Sequence, residues 1–328
     1  MNILVSNHSL DKVGGTETFT YTIIEELKRI GHTVEYFTFK KGFVSEKIES
    51  DLEVFFMTKN RYDLILANHN TTVNHLYRKG FIIQTCHGIF PHLEQPHVYA
   101  DAYVAISQEV QNHLAQLDCT SILIYNSINL ERFKPVNPIN KKLESLLSLC
   151  HSEEANIFIR QICDQLNIRY SQAFKYEEPI WRVEERINDA DVVVGLGRSA
   201  YEAMSCARPV IIFDRRRYFD GFGDGYIRNS LGLSIQNNCS GRYSEKVFTK
   251  SHFIDSLKQY NSDDGIFYRN FAEHNFDVKK NIQLYLKYHQ TLLKRRKEVR
   301  RLKKIIFIKN TIGKKNFNAL AKIYKGKK

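Results

Sequence analysis

The stretch DVVVGLGRSAYEAMSCARPVIIF, residues 191–213, sets the fold class. Asp191 to Gly195 is a short apolar, β-branched run of the kind that forms a strand buried on both faces. A Gly-Leu-Gly turn follows, then helical spacing from Ser199 to Cys206, then a second apolar run from Val210 to Phe213. Strand, turn, helix and strand in direct succession describe a βαβ unit, whose two strands lie parallel.

The same alternation continues toward the N-terminus. Leu146 to Cys150 is predicted as a strand, Glu153 to Leu166 as a helix and Ile168 to Ala173 as a strand. Earlier still come Ile3 to Val5, a helix from Gly15 to Ile30 closing on Gly31, and strands at Val34 to Phe39, Leu64 to Ala67, Phe81 to Thr85, Ala102 to Ile106 and Ile122 to Tyr125. Pro135 and Pro138 punctuate the chain between the two sets, where a hinge fits. The expected class is α/β, with two doubly wound parallel sheets facing across a cleft. The expected domains are 1–137 and 138–265, then a terminal helix over 266–293 with amphipathic periodicity from Ile282 to Leu293, then a basic amphipathic helical tail over 294–328.

At 328 residues and 43% hydrophobic content, the chain can bury two ordinary cores. It contains no 18-residue uncharged apolar stretch, and Met1 to Val5 resemble an opening strand more than a signal peptide, so a cytoplasmic protein is expected. The six cysteines are scattered with no metal-ligand spacing and are expected to be reduced core residues. The +12 net charge is local. Fifteen Lys or Arg and the single acid Glu298 fall in residues 294–328, leaving residues 1–293 slightly acidic. That balance gives no ground for a nucleic-acid groove, and no nucleic-acid partner is expected.

In doubly wound sheets ligands bind where the chain leaves the carboxyl ends of strands, and three such loops stand out. Gly14 and Gly15 precede the first helix and would let a phosphate approach its N-terminus, although the pair also suits a plain turn. Glu17 falls in that helix's first turn, as ligand contact or dipole partner. Gly197, Arg198 and Ser199 open the helix after Gly195. Ser199 can cap it, Arg198 can hold a diphosphate bidentately, and Glu202 one turn on can reach ribose hydroxyls; a capped helix with a surface Arg and Glu is the plainer alternative. Thr85, His87 and Gly88 end the strand at residues 81–85, where His87 can act as acid, base or donor to substrate oxygens, or sit as a buried core histidine. No His pair has helical metal-ligand spacing, and Asp191 of Asp189-Ala190-Asp191 is expected as a strand-edge acid, so no metal and no cofactor are expected.

Together these loops resemble the family 4-type retaining glycosyltransferases of the GT-B fold. The resemblance spans most of residues 1–293. It rests on Gly14-Gly15-x-Glu17, Gly31-His32-Thr33-Val34, Thr85-x-His87-Gly88, Tyr103 to Ser107, Tyr125 to Asn129 before Phe133-Lys134-Pro135, and Asp191 to Val194 leading to Glu202-Ala203-Met204 and Arg208-Pro209-Val210. It implies two Rossmann-like domains and a metal-independent transfer of sugar from a nucleotide-sugar donor, with retention. It also implies that Gly14 and Gly15 approach the donor, His87 contacts the sugar and Glu202 binds the ribose, with Thr85, Gly88 and Glu17 beside sugar or acceptor. The chain departs from the pattern at two places. Val194 stands where the family carries the first Glu of a Glu-x7-Glu pair, and Cys150 to Glu154 lack its Arg and Lys. Arg198, or Arg215 to Arg217, could supply the missing cations.

The basic tail interleaves lysines with Ile305 to Ile308, Ile312, Phe317, Leu320 and Ile323, a mixture suited to an anionic membrane surface, with a solvated, frayed end as the plainer alternative. The leading expectation is a transferase acting on a lipid-linked or cell-surface polysaccharide glycan, peripheral on the inner face of a membrane. A non-catalytic GT-B scaffold in a membrane-associated complex and a nucleotide-sugar epimerase are the rivals. Oligomeric state is not legible.

Overall fold

The computed structural model describes residues 1–173, 180–216 and 221–312, with side chains described to residue 295. Residues 1–282 form one compact unit that holds both sheets, and residues 283–328 form a second. The first sheet takes β1 (Asn2–Ser6), then α1 (Gly15–Arg29), β2 (Thr33–Phe37), α2 (Phe43–Leu52), β3 (Leu64–Ala67), α3 (Asn70–Leu76), β4 (Phe81–Cys86), β5 (Ala102–Ala105), α4 (Gln108–Gln116) and β6 (Ser121–Leu123). Its order is β2-β1-β3-β4-β5-β6, with every pairing parallel. All residues of β3 and β4 are buried, which is why β3 is a continuous apolar run and β4 opens with Phe81, Ile82 and Ile83 before the buried polar Gln84 and Thr85 at its carboxyl end. On α1, Phe19, Ile23, Ile24 and Leu27 recur at helical spacing and form its buried face.

The second sheet takes β7 (Ser145–Ser148), then α5 (Glu153–Gln165), β8 (Arg169–Gln172), α6 (Val183–Asn188), β9 (Val192–Gly195), α7 (Arg198–Ser205), β10 (Val210–Phe213) and β11 (Gly223–Tyr226). Helices α8 (Leu231–Ser234), α9 (Lys250–Lys258), α10 (Asp264–Asn275) and α11 (Val278–Ile312) follow. The order β11-β10-β9-β7-β8 is parallel except for β11, which pairs antiparallel with β10. Asp191 acts at the strand edge as expected. Its carboxylate accepts from the amides of Asn140, Glu144 and Ser145 at 3.1, 3.0 and 2.9 Å and from the Ser145 hydroxyl at 2.9 Å, tying the entry of β7 to that of β9.

Strand winding reverses between β1 and β3 in the first sheet and between β7 and β9 in the second. Chain leaving neighbouring strands in opposite directions opens a crevice at each reversal, and these are the places where a ligand fits. One reversal is followed by Gly14-Gly15, and the other is flanked by Cys150-His151-Ser152 and Gly197-Arg198.

Three expectations change. Helix α7 begins at Arg198 and its N-cap is Gly197, not Ser199, because the turn there needs φ of +55°, which glycine adopts without a Cβ clash. The helix expected to end near Leu293 runs on as α11 to Ile312, so the expected boundary at 293/294 falls inside one helix. Lys and Arg are good helix formers and do not stop it. The antiparallel β11 was not expected at all. Arg217, Phe317, Leu320 and Ile323 lie outside the described residues.

Candidate active site

The two crevices open into one cleft of 1080 Å³. Gly14, Gly15 and Glu17 line it from the start of α1, His87 and Gly88 from beyond β4, and Gly197, Arg198, Ser199 and Glu202 from the start of α7. Thr85 does not line it; its side chain is buried within β4.

On the first domain, Gly14 is extended and its carbonyl accepts from the Thr18 amide and hydroxyl, both at 2.9 Å. The Glu17 carboxylate folds back over Gly14 so closely that a Cβ there would strike it, whereas Gly15 faces open space. The amides of Gly15 and Thr16, at the start of α1, have no acceptor within the helix and can be offered to a ligand. His87 packs edge-on against Phe19, with ring centroids 5.0 Å apart. Asn68 gives its amide nitrogen to the Thr20 hydroxyl, which turns its Oδ1 toward His87 Nε2 at 3.2 Å and assigns the ring proton to Nε2. Burial, with His69 and Arg198 nearby, pushes His87 down to about 3, so the ring is neutral at ordinary pH.

Arg198 lies deeper than its place at a helix start suggests. Its Nε donates to Glu202 at 2.9 Å, Nη1 to the Ser127 carbonyl at 2.8 Å and Nη2 to the Thr22 hydroxyl of α1 at 3.2 Å. One guanidinium therefore joins α7 of the second domain to α1 and to the strand exit of the first. Burial pushes the Glu202 carboxyl up while Arg198 opposes the rise, and the two charges stay paired.

The sequence around residues 150–154 lacks cations, yet the fold brings cations to it. Asp214, fully buried beyond β10, accepts from the amides of His151 and Ser152 at 3.0 and 3.2 Å. It also accepts from the Arg215 amide at 2.8 Å and from Arg216 Nε at 2.9 Å. The guanidinium of Arg215 lies over the Phe158 ring and pairs with Glu154 at 2.6 Å. Arg215 and Arg216 thus sit in the cleft wall beside the N-terminus of α5.

Sequence reasoning missed other members of the site. Trp181 packs against Tyr21 and Phe43 of the first domain, with centroids 4.8 and 5.8 Å away, and Arg132 lies over its ring. Arg242 pairs with Glu109 of α4. Glu94 projects into the cleft against Gly88. The signal that could have found Glu94 is its place in the same strand-exit loop as His87. For the others, the partners are too distant in sequence to leave one. Among the described residues no group of three or more His, Cys, Asp or Glu side chains is placed to hold a metal ion, and no helix is long and apolar enough to cross a membrane.

No family model and no curated protein matches the sequence. Solved structures do match the fold. The lipopolysaccharide outer core galactosyltransferase WaaB in its apo form superposes over 88% of this chain and 100% of its own, with TM-score 0.56 and 14% identity. MurG of Acinetobacter baumannii superposes over 87% of this chain and 99% of its own, with TM-score 0.52 and 9% identity. With one parallel sheet, one parallel but for β11, and the cleft between their switch points, the chain has the GT-B fold of two Rossmann-like domains.

Proposed function

We propose that this protein is a glycosyltransferase that moves a sugar from a nucleotide-sugar donor to a hydroxyl of a lipid-linked or cell-surface glycan. The observation that carries the reading is the convergence, in one cleft, of the Gly14-Gly15 helix start, the neutral His87 and the cations beside α5. The galactosyltransferase named among the structural neighbours supports the same reaction class. Retention and independence of metal are carried over from the family 4 resemblance. In this reading His87 contacts the donor sugar, and the α1 amides approach the diphosphate.

Leaving-group charge develops on the diphosphate and needs preorganised cations. Arg198 suits this role less well than expected, because its side chain is only 8% exposed and is engaged by three protein groups. Breaking a pair buried on both sides is costly, whereas Arg215 is paired with an exposed Glu154, and Asp214 keeps three backbone amide donors when Arg216 turns to a ligand. We therefore assign the diphosphate to Arg215 and Arg216, whose side chains are 29% and 23% exposed.

Calorimetric titration of the full chain with UDP, GDP, ADP and dTDP and with their common sugar conjugates tests the assignment. One nucleotide sugar is expected to bind, and Arg215→Ala or Arg216→Ala to weaken it about tenfold, the worth of a charge-assisted hydrogen bond. Binding by none would overturn the reading. The rival is a non-catalytic GT-B scaffold, favoured by Val194 and by the engaged Arg198. It is eliminated by donor hydrolysis that Arg215→Ala abolishes.

A further inference from the structure

Glu94 ends a single 3₁₀ turn, His92–Glu94, in the loop leaving β4. Side chains of other residues hold the backbone of this loop. Asn70 Nδ2 donates to the His92 carbonyl at 2.6 Å, Gln84 Nε2 to the Gln95 carbonyl at 2.8 Å and Gln95 Nε2 to the Pro91 carbonyl at 3.2 Å. The carboxylate at the centre of this clamp makes no hydrogen bond or ion pair with any described residue. It fills the space above Gly88 that any Cβ there would take, next in sequence to His87.

A carboxylate partly withdrawn from water and given no donor by the protein is left to take one from water or from a ligand in the cleft. Glu17 raises the Glu94 carboxyl and Arg216 opposes it, so Glu94 lies between a second carboxylate and one of the cations assigned to the diphosphate, and the space against Glu94 and Glu17 disfavours a further anion. What suits Glu94 is a neutral O–H donor. Resting on the glycosyltransfer reading, we propose that Glu94 receives the hydrogen bond of the attacking hydroxyl, whether an acceptor sugar or water presents it. In the transfer, the bond from the anomeric carbon to the diphosphate oxygen breaks and the bond to the hydroxyl oxygen forms. The hydroxyl proton ends on the departing diphosphate oxygen, and Glu94 is unchanged.

Only ionised Glu94 offers both oxygens as acceptors. Burial first, then Glu17, push its carboxyl up to about 7, and Arg216 opposes them. The charges that act on it are Glu17 of α1 and Arg216 beyond β10, and His87 and Glu109 share its cleft, the latter paired with Arg242. His87 stays neutral and does not titrate near 7. The rate should therefore rise with pH through about 7.

The test is hydrolysis of the nucleotide sugar that binds most tightly in the titrations, with water as the attacking hydroxyl, in the full chain and in Glu94→Gln. Hydrolysis should fall at least about tenfold while nucleotide affinity stays within about twofold, since only a charge-assisted hydrogen bond to the nucleophile is lost. The rise with pH near 7 should vanish in Glu94→Gln and persist in Glu94→Asp. Unchanged hydrolysis, or a pH rise retained in Glu94→Gln, overturns the proposal. So does loss of nucleotide affinity, which would place Glu94 at the donor or in the fold. A wild-type chain that neither binds nor hydrolyses any nucleotide sugar instead fails the glycosyltransfer reading itself, and this proposal falls with it.

Discussion

Arg198 and Glu202 are separated by one helical turn and lie in the interior, where neither charge is supported by water. Each is the other's counter-charge, so removing one leaves a bare buried ion. Arg198→Ala should lower stability by about 3–5 kcal/mol, read as a shift of the denaturation midpoint. Replacing both residues with apolar side chains of similar volume should recover part of the loss. If the single and double variants unfold at the same midpoint, the pair is not what holds this junction. The residue types here were legible in the sequence. An Arg and a Glu at a strand's carboxyl end announce a charged cluster, and Asp191 announced a strand-edge role. The direction in which Arg198 points was not legible, because its acceptors, Ser127 and Thr22, belong to the other domain and Thr22 lies 176 positions away.

At the scale of elements, burial decided what could be read. Strands β3 and β10 fall where their apolar runs place them, since a parallel strand covered on both faces must be apolar throughout. Strand β11 escaped because its sequence, Gly223-Asp224-Gly225-Tyr226, has no apolar pattern. It is a strand through its antiparallel pairing with β10, and its glycines are there for steric reasons. Phe248 lies so close over Gly223 that a Cβ there would sit 2.8 Å from the ring, and Gly225 has φ of +71°. Helix α11 exceeded expectation because a run of lysines and arginines lacks any helix-stopping residue until Gly313. We propose that this basic run, with the residues to Lys328, attaches the protein to an anionic membrane surface, at about 1 kcal/mol for each basic residue near the lipid. Deleting residues 294–328 should then abolish co-sedimentation with vesicles containing phosphatidylserine and leave nucleotide titrations unchanged. Full-length protein that stays in the supernatant at low salt removes the membrane from the reading.

For the whole molecule, two facing domains were predictable from two sets of alternating strands and helices, and the contacts that set their relative position were not. Those contacts involve side chains far apart in sequence: Arg198 with Thr22, Arg242 with Glu109, and Trp181 with Tyr21 and Phe43. No local periodicity encodes them, since each depends on which loop the completed fold brings opposite. Trp181 offers a way to observe them. It is the single tryptophan of the chain, so its emission has an unambiguous source. It sits in the cleft wall on the second domain, edge-on to Tyr21 of α1 at 4.8 Å and held by Arg132, whose guanidinium lies 5.1 Å from the ring centre and donates to the Trp181 carbonyl. A nucleoside diphosphate drawing the α1 amides toward Arg215 and Arg216 would shift one domain against the other and change the packing of this ring. Titration with the nucleotide that calorimetry identifies should give a saturable change in Trp181 emission with the same midpoint. Arg132→Ala should change the starting emission by releasing the ring, and should leave the midpoint in place if Arg132 does not touch the ligand. Binding registered by heat with no change in emission would mean that the domains are already closed around Trp181 before the nucleotide arrives.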